Sequence, residues 1–373
     1  MNDRFAPLFD TFEFRSGVRA ANRIAVAPMT TWSSYPDGTI HPDELRYIAR
    51  RAHGPGLFVT AACYVNPAGH AFPGQWGCHD DDMLPSLRSG AAAITSQGAL
   101  AILQIHHGGR MCPATLLGHA PLCASAVAAA RPGADTPREM SDEEIRNTIQ
   151  DFAHATSRAV EAGYDGVEIH GANTYLQQQF FSPHSNRRHD FWGGSLEARM
   201  RFPLATLDAV LEAASAASRP FAVGYRLSPE EIEEPGITLE DTLALVDAIC
   251  ERPLDYLHVS TREYSKGSLR DRSDARTPTS RIISRVAGRA PVIGVGKLIQ
   301  PDDVLHALGE GCSFAALGRA MLYEPEWVEK VLAGREGALC TALPVEDAEN
   351  LLTIPAPLCA MLLSVKGWIP VSH

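Results

Sequence analysis

Residues 165–175 read DGVEIHGANTY. The first six, DGVEIH, form a short run rich in β-branched and apolar residues, and the polar stretch after it places His170, Asn173 and Tyr175 at or just past its end. A run too short for a helix that leads straight into glycine reads as a strand buried in a parallel sheet. Working outward, the same pattern recurs at 23–28 (RIAVAP), 56–61 (GLFVTA), 100–105 (LAILQI), 220–227 (PFAVGYRL), 255–260 (DYLHVS), 291–296 (PVIGVG) and 313–318 (SFAALG). Between the runs lie helical patterns. Ser141 followed three residues later by Glu144 can form a capping box, and Ile145, Ile149, Phe152, Thr156 and Val160 then repeat at helical spacing. Thr238 suits the N-cap of a helix whose Leu239, Leu243, Val246 and Cys250 share a face. Eight β/α units in one chain predict an α/β protein built as a (β/α)8 TIM barrel. A doubly wound open sheet is the alternative, since periodicity does not show that a sheet closes.

The chain has 373 residues, enough for a barrel of roughly 250 residues with long insertions. The stretches 106–140, 171–195 and 261–277 exceed ordinary βα loops of about 2–6 residues, and in a barrel all three follow strand C-termini. Residues 1–335 therefore read as the barrel. Residues 336–373 read as a C-terminal extension packed on the barrel or at a subunit contact, and the apolar 351–363 (LLTIPAPLCAMLL) points to a homo-oligomer. Hydrophobic residues at 45% and charged residues at 21% are ordinary for a folded core. The net charge of −11 disfavours phosphate-backbone binding, so nucleic acid is not an expected partner. No run approaches the ~18 apolar residues of a membrane span, and MNDRFAPLFDTFEF lacks the apolar stretch of a signal peptide, so the expectation is cytoplasmic. The eight cysteines are scattered with no C-x-x-C pair, and no metal or iron–sulfur site is expected.

The strand ends carry the chemistry. Neutral His170 and the Asn173 amide can both donate to one carbonyl or nitro oxygen, drawing electron density from a conjugated C=C bond, and Tyr175 can supply a proton. The bland reading is a His and an Asn that satisfy backbone groups. Gln104 ends the third run and presents donor and acceptor together, which suits the pyrimidine edge of a flavin; His106, after it, reads as part of a tight solvated loop. Arg226 ends the fifth run as a permanent cation, either beside a reduced flavin or in an ion pair with Glu168. Gly294, Gly296 and Gly318, with Arg319, can form a phosphate cradle at the seventh and eighth strands. Thr30 places a hydroxyl at the barrel mouth, and Trp32 could floor a substrate pocket.

Taken in order, NRIAVAPMT, LQIHHGGR, DGVEIHGANTYLQQQFFSPHSNRR with FWGGSLEARMRF, GYRLSPEE, and PVIGVGK with ALGRAML resemble the Old Yellow Enzyme family of FMN-dependent ene-reductases, from about Leu8 to Trp327. The resemblance implies tightly bound, non-covalent FMN, with NADH or NADPH as reductant and an activated alkene as oxidant in a ping-pong cycle. It implies that Pro28, Met29, Thr30, Ala62, Gln104 and His170 contact the isoalloxazine, with Arg226 at its N1/O2 edge. Gly294, Gly296, Gly318 and Arg319 would hold the phosphate, with Lys297 as an added contact. His170 and Asn173 would bind the substrate oxygen, Tyr175 would be the proton donor, and Trp32 a neighbour of the substrate. The pair is His/Asn where some members have His/His, Thr30 stands where one branch has cysteine, and the cysteine cluster of the longer members is missing. The competing readings are a metal-dependent barrel lyase or hydrolase using His106, His107, His170 and Glu168, and a flavin-binding protein without turnover.

Overall fold

A computed structural model describes residues 2–372. All eight runs are strands: β1 (Ile24–Val26), β2 (Leu57–Val59), β3 (Leu100–His106), β4 (Gly166–Gly171), β5 (Ala222–Leu227), β6 (Tyr256–Ser260), β7 (Val292–Val295) and β8 (Phe314–Leu317). Each pairs in parallel with its neighbour in chain order, β8 pairs with β1, and β3 pairs with β4, so the ring closes and the open-sheet alternative falls. Helices α1 (Pro42–Ala52), α2 (Leu84–Thr95), α3 (Asp142–Ala162), α4 (Leu196–Ser215), α5 (Leu239–Cys250), α6 (Pro278–Val286) and α7 (Pro301–Gly309) follow the first seven strands in turn. The expected capping box of Ser141 with Glu144 forms at α3, and the expected N-cap Thr238 forms a second box with Asp241 at α5. Each satisfies two backbone donors that would otherwise lack partners.

Period-two alternation divides every strand between two cores. Val26, Phe58, Leu103, Val167, Val223 and Leu257 face the helices, while Ala25, Leu57, Ile102, Ala222, Tyr256, Ile293 and Phe314 fill the barrel. An N-terminal hairpin of Phe12–Glu13 and Arg19–Ala20 plugs the lower end, where Phe14 stacks on Phe314 with ring centroids 5.3 Å apart. Following the same alternation upward, the next inward positions are polar: Gln104 on β3, Glu168 and His170 on β4, Arg226 on β5 and His258 on β6. Gly224 lies inward between Ala222 and Arg226, and a Cβ there would overlap the Tyr256 ring. The barrel is thus apolar below and polar at its C-terminal mouth.

The loop over 106–140 carries a short helix at Ala114–Leu117 and a paired bridge between Leu122–Cys123 and Arg138–Glu139. The loop over 261–277 is tied down by Glu230, whose carboxylate accepts from Ser268 Oγ at 2.6 Å and Leu269 N–H at 2.9 Å. The C-terminal segment folds back on the chain. Arg51 on α1 is fully buried and donates to the carbonyls of Met321, Leu322 and Leu352. Leu352, Ile354, Leu358, Cys359 and Leu362 are buried by the same chain, leaving Leu351 and Leu363 exposed. With Val365, Trp368 and Val371 also exposed, the apolar tail is only partly covered within the chain. Among the described residues no helix is long and apolar enough to cross a membrane.

Candidate active site

A cavity of about 240 Å³ opens at the barrel mouth, lined by Pro28, Thr30, Ala62, Gln104, His170, Asn173, Tyr175 and Arg226. Five strand ends contribute to it. An adjoining cavity of about 340 Å³ shares Pro28 and Arg226 and adds Met29, Thr261, Arg262, Gly296, Lys297, Gly318, Arg319 and Trp368. Residues from widely separated stretches of sequence thus meet around two cavities that share Pro28 and Arg226.

His170 is buried, and its Nδ1 accepts the Ala172 N–H at 3.4 Å. Burial, with the nearby His106, Arg226 and His258, holds its pKa well below the ordinary histidine value. The ring is therefore neutral, and the Ala172 contact assigns its proton to Nε2 as a donor. Asn173 takes a left-handed φ of 57°, a conformation that asparagine tolerates, and its main-chain N–H donates to Ser228 Oγ at 2.9 Å. Its Oδ1 accepts from Ser260 Oγ at 3.3 Å, which leaves the amide N–H groups for the cavity. Ser260 Oγ in turn accepts from Arg226 Nη2 at 3.1 Å, so one hydroxyl sets two site residues. Tyr175 caps the short helix Leu176–Phe181. Burial pushes its phenol above the usual value of 10, so it stays protonated.

The structure corrects the reading of His106. It is completely buried at the end of β3, with its ring edge-on to Tyr175 at 4.3 Å between centroids and tilted against His170 at 5.4 Å. Gln75 holds it there. The Gln75 amide oxygen accepts from Ala71 N–H, and its nitrogen contacts the Ala62 carbonyl at 3.2 Å and His106 Nδ1 at 3.0 Å. The available signal was alternation, since His106 stands two residues beyond Gln104 on the same strand. Ser260 was missed in the same way, two residues beyond His258.

At the second cavity, Gly296 has φ of 136°, and a Cβ there would lie 2.7 Å from the Tyr264 nitrogen. Only glycine fits such backbone. A Cβ at Gly318 would meet Ala27 Cβ and Met29 Sδ only at an ordinary contact distance of 3.8 Å, so this glycine is not forced by crowding. Arg319 Nη1 donates to the Trp368 carbonyl at 3.2 Å, so the far C-terminus forms part of the wall, which nothing in the sequence pattern indicated. Lys297 is present but paired with Glu263 at 2.8 Å. Two expected residues lie elsewhere. Gly294 alternates with the inward Ile293 and Val295, and its missing side chain makes room for Tyr264 and Cys312, 2.7 and 2.8 Å from a Cβ position. Trp32, with φ of 52°, packs on Phe72 at 6.1 Å and is not among the residues lining either cavity.

The residues present fit FMN. Arg226 keeps a buried Nε with no hydrogen-bond partner among the described residues, beside the donor and acceptor of Gln104. The second cavity offers two glycine backbones and the cations Arg319, Lys297 and Arg262 to a phosphate. The metal reading lacks convergence: Glu168 binds Gln104 and His258, His107 Nδ1 takes the Gly109 N–H, and His106 is held by Gln75. Among the described residues no three His, Cys, Asp or Glu side chains gather as a metal site would need.

Fold and site together define a flavin-dependent TIM-barrel oxidoreductase. The sequence model of the NADH:flavin oxidoreductase / NADH oxidase family matches residues 7–337, and the chain belongs to that family. It is 45% identical over 371 residues to a probable NADH-dependent flavin oxidoreductase, YqiG, of Bacillus subtilis (strain 168), covering 99% of both chains. It is 43% identical over 358 residues to an NADH:acrylate oxidoreductase of Vibrio harveyi, covering 95% of this chain and 35% of that longer protein. Among solved structures, morphinone reductase superposes with a TM-score of 0.74 at 25% identity, over 88% of this chain and 89% of that one. The expected family, cofactor FMN and reductant NAD(P)H stand on these findings.

Proposed function

We propose that the protein reduces the C=C bond of activated alkenes, α,β-unsaturated carbonyl or nitro compounds, at the expense of NADH or NADPH in a ping-pong cycle. Bound FMN supplies the hydride relay between the two half-reactions. Pro28, Met29, Thr30, Ala62, Gln104 and Arg226 hold its ring system, and Gly296, Gly318 and Arg319, with Lys297, hold its phosphate. In the first cavity His170 Nε2–H and the Asn173 amide donate to the substrate's carbonyl or nitro oxygen. Two neutral, pre-aimed donors polarise the conjugated bond without the desolvation cost of a buried cation. Tyr175, kept protonated by burial, gives its proton to the α-carbon. A cytoplasmic setting belongs to this reading, because NAD(P)H is the reductant.

The observation that carries the proposal is the convergence of His170, Asn173 and Tyr175 on the wall of the cavity that Gln104 and Arg226 also line. A protein that only stored FMN would not need a proton donor beside two oxygen-directed donors. The names of the acrylate oxidoreductase and of morphinone reductase support the substrate class. The test is an absorbance spectrum of the purified protein, followed by anaerobic NAD(P)H and then cyclohexenone. Flavin bands that bleach with the nicotinamide and return with the enone are the expected result. Bleaching without return would remove the alkene site, and a colourless protein unable to take up FMN would overturn the whole reading.

A further inference from the structure

Glu168 lies inside the barrel on β4, completely buried, and no step above uses it. Its Oε1 accepts from Gln104 Nε2 at 2.7 Å and its Oε2 pairs with His258 Nδ1 at 2.9 Å. His258 comes from β6, which is not a neighbour of β4 in the sheet, so this contact crosses the barrel interior beneath the cavity. Burial alone would protonate the carboxyl; His258, Arg226 and Gln104 outweigh it and hold Glu168 ionised. Burial lowers the pKa of His258 against the pull of Glu168, and whether the ring is neutral or charged its Nδ1–H donates to the carboxylate.

We infer that Glu168 is a positioning residue: a buried anion that fixes which end of the Gln104 amide, and how much of the Arg226 charge, the cofactor meets. The inference rests on the reading that Gln104 and Arg226 contact FMN. An ionised carboxylate only accepts hydrogen bonds, so both of its neighbours must turn donors toward it. Gln104 gives it one N–H, which leaves Oε1 and the second N–H for the cavity, and the amide cannot flip without setting oxygen against oxygen. His258 gives it the Nδ1 proton, which fixes the tautomer and leaves Nε2 without a partner among the described residues. Arg226 on β5 lies in register with His170, one inward position above Glu168, and its opposite charge is partly offset by the carboxylate. In Glu168→Gln the cation is no longer offset, and the new amide can satisfy both neighbours only if His258 shifts its proton to Nε2 and accepts at Nδ1. Glu168→Asp keeps the charge. A residue that merely satisfied buried hydrogen bonds would show the two substitutions acting alike.

The test is the midpoint potential of bound FMN in wild type, Glu168→Gln and Glu168→Asp, measured by anaerobic dye-coupled reduction. Glu168→Gln is expected to favour the reduced cofactor about tenfold, a shift of about 30 mV to more positive potential for a two-electron couple. Glu168→Asp is expected to stay within about twofold of wild type in the same ratio. An unchanged potential in Glu168→Gln, or the same shift in both variants, overturns the inference. Should Glu168→Gln not fold, the wild type decides: in 13C-glutamate-labelled protein, the reduced-minus-oxidised infrared spectrum should carry an isotope-shifted carboxylate band, and its absence overturns the inference. A wild type that binds FMN and cycles with NADH and enone while Glu168 is silent removes only this inference. A wild type that takes up no FMN removes the functional reading and this inference together.

Discussion

Replacing Tyr175 with phenylalanine deletes one oxygen and tests the proton assignment with little disturbance elsewhere. The ring keeps its edge-on contacts with His106 at 4.3 Å and His170 at 5.0 Å, and it lines the cavity, so no packed core atom is lost. A change of that kind should alter stability by no more than about 0.5 kcal/mol, or about 2 °C in Tm at most. The kinetic effect should be far larger. General-acid catalysis by a positioned side chain contributes about 10²- to 10⁴-fold, or roughly 2.7–5.4 kcal/mol of barrier. Anaerobic stopped-flow spectroscopy separates the two halves of the cycle: bleaching of the flavin by NADH, then its return with cyclohexenone. Bleaching should stay within about twofold of wild type, since that half requires no proton from Tyr175, and the return should slow by about 10²-fold or more. Burial raises the Tyr175 pKa above 10, so the wild-type return should show no loss from phenol ionisation between pH 7 and pH 9. Equal slowing of both halves, or a melting point several degrees lower, would show that the hydroxyl supports the fold or the cofactor instead.

His170→Ala should weaken binding of a phenolate ligand by about 10- to 100-fold, the range for one hydrogen bond to a charged group; a spectral titration giving unchanged affinity would take His170 out of the oxygen site. Gly296→Ala places a Cβ 2.7 Å from the Tyr264 nitrogen on left-handed backbone, and flavin released on ultrafiltration should rise at least about tenfold. Gly98→Ala shares a positive φ but meets nothing within 4 Å, so as a control it should retain flavin like wild type. Buried His106, His107, His170 and His258 all have lowered pKa values, His107 down to about 3. Unfolded, each titrates near 6.5, so below that pH the unfolded chain binds more protons and stability falls. At pH 5.5 His107 alone should cost about 1.4 kcal/mol, and urea midpoints that do not decline between pH 7.5 and 5.5 would contradict its burial as a neutral ring.

Much of this protein is legible in its letters because a parallel barrel strand, buried on both faces, is a short apolar run, and the inward residues near its C-terminal end face the mouth. Gln104, His170 and Arg226 were readable on those grounds, and the capping boxes at Ser141 and Thr238 are local devices within four residues. Alternation, followed strictly, also carries His106 and Ser260 inward, and it turns Gly294 outward between Ile293 and Val295. What the letters do not contain is which strands oppose one another. A glycine at a strand end is the same letter whether it lines a cavity, like Gly318, or makes room for an internal ring, like Gly294 against Tyr264. Glu168 meets His258 from 90 residues away, and Trp368 reaches Arg319 from 49 residues away. Periodicity is a property of neighbours along the chain, so the sequence by itself determined the eight units and the side to which each residue points. Closure of the ring brings distant strands across a common axis, and only that tertiary event decided which buried charges, donors and rings would meet.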